Sequence, residues 1–371
     1  MSVLHLGNTA GVAVELVRFL KKEGIVADVM SFHDEHTHSF FRSVAINLPV
    51  SMKDSFLKKS ALLPLIISKS RNYNIVHLHS KFSQIGFLIR LWNALINVDK
   101  PIFVHFHGSD LRDLDSFGSF YRRFLLLSIK HSKKVLVSTP DLLHTLIEKV
   151  FKSREFVSKR FIFFRNPIDT SSFKPIKTKI DLHNGYDYVL FMPSAISFRK
   201  KGHHKVLKAL ELVLKLEKLN KKIKLVLVNT LSHTTDLKVM MRYIKARNLS
   251  KNIEIIPKIP KEYMPLFYNA ADVVLDQFAI NGVLGQIALE AMSCSRPVIS
   301  WYSSKWDAYY GSRPPIFSAK SPASIAKAMV VLLQDANLRK KLGNLGREWV
   351  LKTHDAKAVV RMLINLYKEA L

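Results

Sequence analysis

The densest run of groups able to do chemistry is Asp276-Gln-Phe-Ala-Ile-Asn-Gly-Val-Leu-Gly-Gln-Ile-Ala-Leu-Glu290. A strand pattern ends at Asp276, a loop with Gly282 and Gly285 follows, and a helix pattern then begins. Glycines at such a turn let the backbone come close to a ligand. The first N–H groups of the helix, with its dipole, suit an anion such as a diphosphate. Glu290, on that helix, is a carboxylate able to accept hydrogen bonds from ribose hydroxyls. The alternative is an ordinary helix start with an acid near it. A second group is Met192-Pro-Ser-Ala-Ile-Ser-Phe-Arg-Lys-Lys-Gly202, again after a strand and before a helix. Cations there could hold the phosphates of an anionic ligand. Either Arg or Lys can do this, and Arg adds a bidentate fork. A solvated basic loop is the competing reading in a chain with 57 Lys and Arg.

Histidines form the third group. In Val104-His-Phe-His-Gly-Ser-Asp-Leu-Arg112, His105 and His107 share one strand face by period-two spacing, and His77-Leu-His79 repeats the pattern. Imidazoles are common metal ligands. With no partnering acid evident, these four are read as separate strand-end residues, and no metal is assigned. His33-Asp-Glu-His-Thr-His38 reads as a polar loop, and Asp113-Leu-Asp115 is too common a tripeptide to count as a metal motif.

The elements that must position these groups alternate along the whole chain. Strands are expected at 3–6, 27–31, 75–79, 102–107, 134–138 and 161–165, then at 188–192, 224–229, 253–256, 273–276 and 297–300. Amphipathic helices fall between them. Such alternation predicts an α/β protein with two doubly wound, Rossmann-like domains. A turn-rich boundary at Asn166–Pro175 divides residues 1–168 from 169–355, and the helix at 356–371, with no strand after it, is free to pack back on the first domain. Ligands in such sheets sit outside the carboxyl ends of the strands, which points to a cleft faced by both domains.

Leu289-Glu-Ala-Met292 and Arg296-Pro-Val-Ile299 resemble the signature of glycosyltransferase family four, the retaining "glycosyl transferases group 1" of the GT-B type. Lys201-Gly202, the strand-end His107-Gly108, Asn166-Pro-Ile-Asp169 and Tyr268-Asn-Ala-Ala-Asp272 extend the resemblance over nearly the whole chain. It implies transfer of a sugar (EC 2.4 class) from a UDP- or GDP-linked donor to a glycan or lipid-linked acceptor, with no cofactor and no metal. It also implies residue roles: His107 on the donor sugar, Glu290 on the ribose, and Arg199 and Lys201 on the phosphates. Gly11, in the first strand-helix loop Gly7-Asn-Thr-Ala-Gly11, would lie near the donor phosphate. The sequence departs from the pattern in three places. Gly282 stands where the family has a first Glu, which leaves Asn281 as the nearest substitute. Gly282-Val283-Leu284-Gly285 resembles a Gly-aromatic-aromatic-Gly variant of that loop. Ile196 stands where an Arg is usual, which makes Arg199 its replacement.

Composition bounds the rest. The net charge of +28 favours anionic partners, and one Cys rules out a disulfide framework and suggests a reducing, cytoplasmic setting. Met1–Asn8 lacks a basic n-region and is not read as a signal peptide. Phe56–Lys69 and Tyr121–Lys130 mix basic and apolar residues, as helices lying on an anionic membrane surface do and as core-packing helices with a basic edge also do. No nucleic-acid module is recognisable, so transfer to nucleic acid is a minor rival. The other rival is a non-catalytic protein that binds sugar nucleotides.

Overall fold

The structure is a computed structural model that describes residues 1–32, 45–48, 61–95, 99–114, 118–145, 151, 153–216, 221–229, 234–279 and 281–371. The His33–His38 run, residues 56–60 of the first basic stretch and Asp115 lie outside them.

The chain forms two compact units, one of Met1–Pro167 with Ala356–Leu371 and one of Ile168–Asp355. The first holds a seven-stranded parallel sheet: β1 (Ser2–Leu6), β2 (Val26–Phe32), β3 (Ala45–Leu48), β4 (Ile75–His79), β5 (Ile102–Phe106), β6 (Lys134–Val137) and β7 (Phe161–Phe163), in the order β3-β2-β1-β4-β5-β6-β7. The second holds six parallel strands: β8 (Tyr188–Met192), β9 (Ile223–Asn229), β10 (Ile253–Pro257), β11 (Val273–Leu275), β12 (Val298–Ser300) and β13 (Phe317–Ser318), in the order β10-β9-β8-β11-β12-β13. The expected α/β class with two doubly wound sheets is what the chain adopts. β3 and β13 were not expected, since four and two residues carry too little periodicity to stand out.

The inner strands β4, β5, β11 and β12 are buried along their whole length, so they read as largely apolar runs, whereas the edge strand β10 is partly exposed. In the first unit, α1 (Val12–Lys22) places Val12, Ala13, Leu16, Val17 and Leu20 on the sheet, a helical repeat of apolar side chains. α2 (Ser119–His131) buries only Leu125, Ser128 and Ile129 and exposes Phe120. In the second unit, α3 (His203–Leu214) starts at Gly202 and α4 (Gln286–Ser293) starts after Gly285. α5 (Pro322–Gln334) opens on a capping box made by Ser321 and Ser324. α6 (Ala336–Thr353) packs on α4. α7 (Ala356–Lys368) belongs to the first unit, where its Val359, Val360, Leu363 and Tyr367 pack with α1 and the sheet. A buried Val or Leu contributes roughly 1.5–3 kcal/mol, so this face is a substantial part of the first unit's core.

In each sheet the strand order reverses once, between β1 and β4 and between β8 and β11. Ligands of open α/β sheets bind at the carboxyl ends of the strands at such reversals. The residues singled out above sit at both.

Candidate functional site

At the second reversal, the turn after β8 and the loop after β11 are bonded to each other. Ser197 O accepts from the N–H groups of Lys201 (3.1 Å) and Gly202 (3.0 Å), and Asp236 Oδ2 accepts from Phe198 N at 2.9 Å. The Lys201 carbonyl then accepts from Phe278 N at 2.9 Å. Lys201 Nζ donates to Gln277 Oε1 at 3.2 Å, and Gln277 Nε2 donates to the Val283 carbonyl at 2.6 Å. Gln277 therefore ties the Lys201 cation to the glycine loop. The sequence reading passed over it, although a polar residue just past a strand end is the kind the carboxyl-end rule selects.

Asp276 is fully buried, and its Oδ2 accepts from Gly285 N at 2.9 Å. Burial pushes its carboxyl up, while the Lys201 charge and the Gly285 N–H pull it back down. The Gly285 N–H, expected to help hold a diphosphate, is thus directed at Asp276. A Cβ on Gly285 would lie 2.5 and 2.6 Å from the two carboxylate oxygens, so the loop passes where only glycine fits. Gly285→Ala is expected to cost about 1–3 kcal/mol through this overpacking. Thermal unfolding should show a midpoint lowered by several degrees. An unchanged midpoint would mean that the carboxylate is not where the structure has it.

Gly282 adopts φ +62°, and its carbonyl accepts from Ser303 N at 2.9 Å. Asn281 is exposed, and its carbonyl accepts from Trp306 Nε1 at 3.0 Å. Val283 and Leu284 bury their side chains (1% and 2% exposed), so only their backbone can face a ligand. Arg199 is exposed on the turn, one residue before the half-buried Lys200, and Ile196 is buried in the core. Glu290 is 2% exposed, and both of its oxygens have donors: Lys261 Nζ on Oε1, and the buried Tyr268 hydroxyl on Oε2 at 2.9 Å. A ribose hydroxyl would share these oxygens through their remaining lone pairs. Lys261 also lies over the Phe173 ring, 4.9 Å from its centroid.

The first reversal corrects the sequence reading. Its histidines are not separate strand-end residues, and five of them stack in one cluster. The parallel register sets His5 opposite His77 across β1–β4 and His79 opposite His105 across β4–β5, and His107 follows β5. Ring centroids are 4.7 Å apart for His5–His77, 4.5 Å for His77–His79 and 4.2 Å for His105–His107. Hydrogen bonds string them together. His5 Nδ1 meets His79 Nε2 at 2.9 Å, His79 Nδ1 meets His107 Nε2 at 2.9 Å, and Ser138 Oγ lies 3.0 Å from His107 Nδ1 and 3.1 Å from His105 Nε2. From α7, the Tyr367 hydroxyl reaches His77 Nδ1 at 2.5 Å and His5 Nε2 at 3.4 Å. Burial holds His5 down to about 3 and His107 down to about 4, where the Asp110 carboxylate opposes the shift. His77, His79 and His105 are held well below the ordinary imidazole value by burial and by one another. All five are therefore neutral at pH 7.

His107 is further placed by Asp110, whose Oδ2 accepts from His107 N (2.9 Å) and Ser80 Oγ (2.7 Å) and whose Oδ1 accepts from Gly108 N (2.7 Å). Thr9 Oγ1 donates to Ser80 Oγ at 2.8 Å, which brings in the first strand-helix loop, and Gly11 (φ +80°) caps α1 at its end. Ser80 and Ser138 escaped the sequence reading because their partners are strands away, whereas Asp110 binds backbone within three residues of itself and could have been found as a local turn acid.

Residues 173–349, within the second unit, match the family model described as glycosyl transferases group 1. Three solved structures share the fold of the chain. HepE from Anabaena, in complex with UDP and glucose, is 15% identical with TM-score 0.75, the match covering 98% of both chains. The sucrose-phosphate synthase of Thermosynechococcus elongatus is 16% identical with TM-score 0.73, over 100% of this chain and 98% of that one. A glycosyltransferase from Rickettsia africae is 17% identical with TM-score 0.67, over 100% and 98%. No curated protein matches.

Proposed function

We propose that the chain is a retaining glycosyltransferase of family four, moving a hexosyl group from a UDP- or GDP-linked donor to a glycan or lipid-linked acceptor. The observation that carries the proposal is the Lys201–Gln277–Val283 connection, which fixes a cation on the glycine loop at the strand reversal of the unit that matches the group 1 transferases. Lys201 and the exposed Arg199 would offset the charge left on the diphosphate as the sugar departs, so no metal is needed for that task. Glu290 would meet the ribose, the backbone of Asn281–Gly285 would line the donor, and His107 would act on its sugar. Gly11 would leave room for the phosphate. That HepE was crystallised with UDP and with UDP-glucose makes UDP-sugars the first donors to try.

A second reading, binding without turnover, is favoured by two observations: Gly282 has no side chain to offer a sugar, and both Glu290 oxygens already have donors. Titrating UDP-, GDP- and ADP-sugars by thermal shift separates the two. A donor at 100 times its Kd stabilises the folded chain by about 3 kcal/mol. One donor should raise the midpoint and be slowly hydrolysed. A shift without hydrolysis or transfer would support binding alone, and no shift with any donor would sink the donor-site assignment.

The acceptor side is proposed to work at the cytoplasmic face of a membrane. α2 offers a groove in which Arg122, Arg123 and Lys130 alternate with Leu126, Leu127 and the nearby Phe156, and Phe120 is 55% exposed at its start. Among the described residues no helix is long and apolar enough to cross a membrane. The chain should float with vesicles containing anionic lipid at moderate salt. Failure to do so removes the membrane from this scheme.

A further inference from the structure

We propose that His79, His105 and His107 form a three-imidazole site for a divalent transition cation of the zinc class, at the carboxyl ends of β4 and β5. The site stands on the geometry of the histidines alone; it shares His107 with the proposed donor site, and only its effect on transfer rests on that reading.

The ligating nitrogens of these three lie within 4.8 Å of one another. Each ring has one nitrogen already taken. His79 Nε2 faces His5 Nδ1, and His105 Nε2 and His107 Nδ1 share Ser138 Oγ. His79 Nδ1 and His107 Nε2 then face each other at 2.9 Å, and His105 Nδ1 is buried with no partner among the described residues. A buried imidazole nitrogen without a partner is unusual, and this one lies within 4.8 Å of nitrogens from two further imidazoles.

The hydrogen-bond polarity fits a cation. A neutral imidazole carries one N–H. If His79 Nδ1, His107 Nε2 and His105 Nδ1 give lone pairs to a metal, which replaces the His79–His107 hydrogen bond, His107 Nδ1–H and His105 Nε2–H donate to Ser138 Oγ. His79 Nε2–H donates to His5, His5 Nε2–H donates to the Tyr367 oxygen, and the Tyr367 O–H donates to His77 Nδ1. Every ligand then hands its second nitrogen to an acceptor, the arrangement that orients metal-binding imidazoles. Three neutral nitrogen donors with a fourth position open suit Zn²⁺, Co²⁺ or Ni²⁺ and not Mg²⁺ or Ca²⁺. Asp110, bonded to the His107 backbone, supplies a nearby negative charge. His107 is the half-buried member and gives the cation its way in, whereas the overlapping triad His5, His77 and His79, which also has one unpartnered nitrogen at His77 Nε2, is fully buried. Occupancy would take His107 away from any sugar, so zinc would inhibit transfer and EDTA would restore it.

The test uses the full chain, stripped with EDTA and desalted. ZnCl₂ is titrated by calorimetry, and CoCl₂ by visible absorption. One cation per chain and the intense visible bands of tetrahedral Co²⁺ are expected. His107→Gln should weaken Zn²⁺ binding at least tenfold, Ser138→Ala should weaken it less, and the exposed His131→Gln should leave it unchanged. Circular dichroism checks that each variant folds. No stoichiometric binding, or affinity unaltered in folded His107→Gln, would overturn the proposal. So would loss of binding in His5→Gln with retention in His107→Gln.

Discussion

Lys201→Gln is expected to lower kcat/KM by roughly 10²–10³, the loss seen when one preorganised charge-stabilising group is removed, while moving the unfolding midpoint little. The substitution keeps a side chain able to donate to Gln277 Oε1, so the loop geometry should survive and only the charge is lost. Two consequences separate this from simple disruption. The fall should appear mainly in kcat, because under the proposed function the charge that Lys201 would meet is greatest as the sugar bond breaks. Lys200→Gln, on the same turn but without the bond to Gln277, should cost far less. Equal losses in the two variants would show that the turn supplies only diffuse positive charge.

A second large effect is expected in acid. The unfolded chain binds protons on its histidines near 6.5, whereas the five stacked imidazoles in the first unit hold theirs only at much lower pH. The unfolded state therefore binds more protons between these values. The stability these groups allow is complete above about pH 6.5 and is lost as the pH falls below it. At about pH 5.5 each group costs roughly 1 kcal/mol, and five together cost roughly 5 kcal/mol or more, comparable with the whole stability of a domain. The groups facing the cluster do little to offset this, since Tyr367 is neutral and Asp110 counters the shift only at His107. Urea unfolding in EDTA at about pH 7.5 and 5.5 tests it, with Trp92 reporting the first unit and Trp301, Trp306 and Trp349 the second, where His203 is held down to about 4. Trp92 should report a much lower midpoint at the acid pH. Midpoints that do not move, or that fall equally in both units, would contradict the neutral cluster.

Local periodicity was enough to read most of the fold. β4 and β8 lie where the apolar runs end, and the helix Met264–Ala270 matches its pattern. What periodicity cannot supply is which strand lies beside which. That is why His77 and His79, correctly placed on one face, were not joined to His5 and His105. The same holds for Glu290. Its place on a helix was legible, but Lys261 and Tyr268 reach it across 29 and 22 residues, and no spacing rule anticipates that. Gln277 was within reach of the strand-end rule and lacked only the neighbour that gives it meaning.

The return of α7 has a consequence for how the chain is made. The first unit is begun first and completed last, because Tyr367 and the apolar face of α7 cover α1 and the sheet only after residues 168–355 have been synthesised. At ~5–20 residues per second that interval is on the order of ten to forty seconds. Throughout it the nascent first unit presents an uncovered oily surface and an imidazole stack missing its phenol. Truncation before residue 356 would remove that cover altogether and leave the first unit's apolar face permanently exposed.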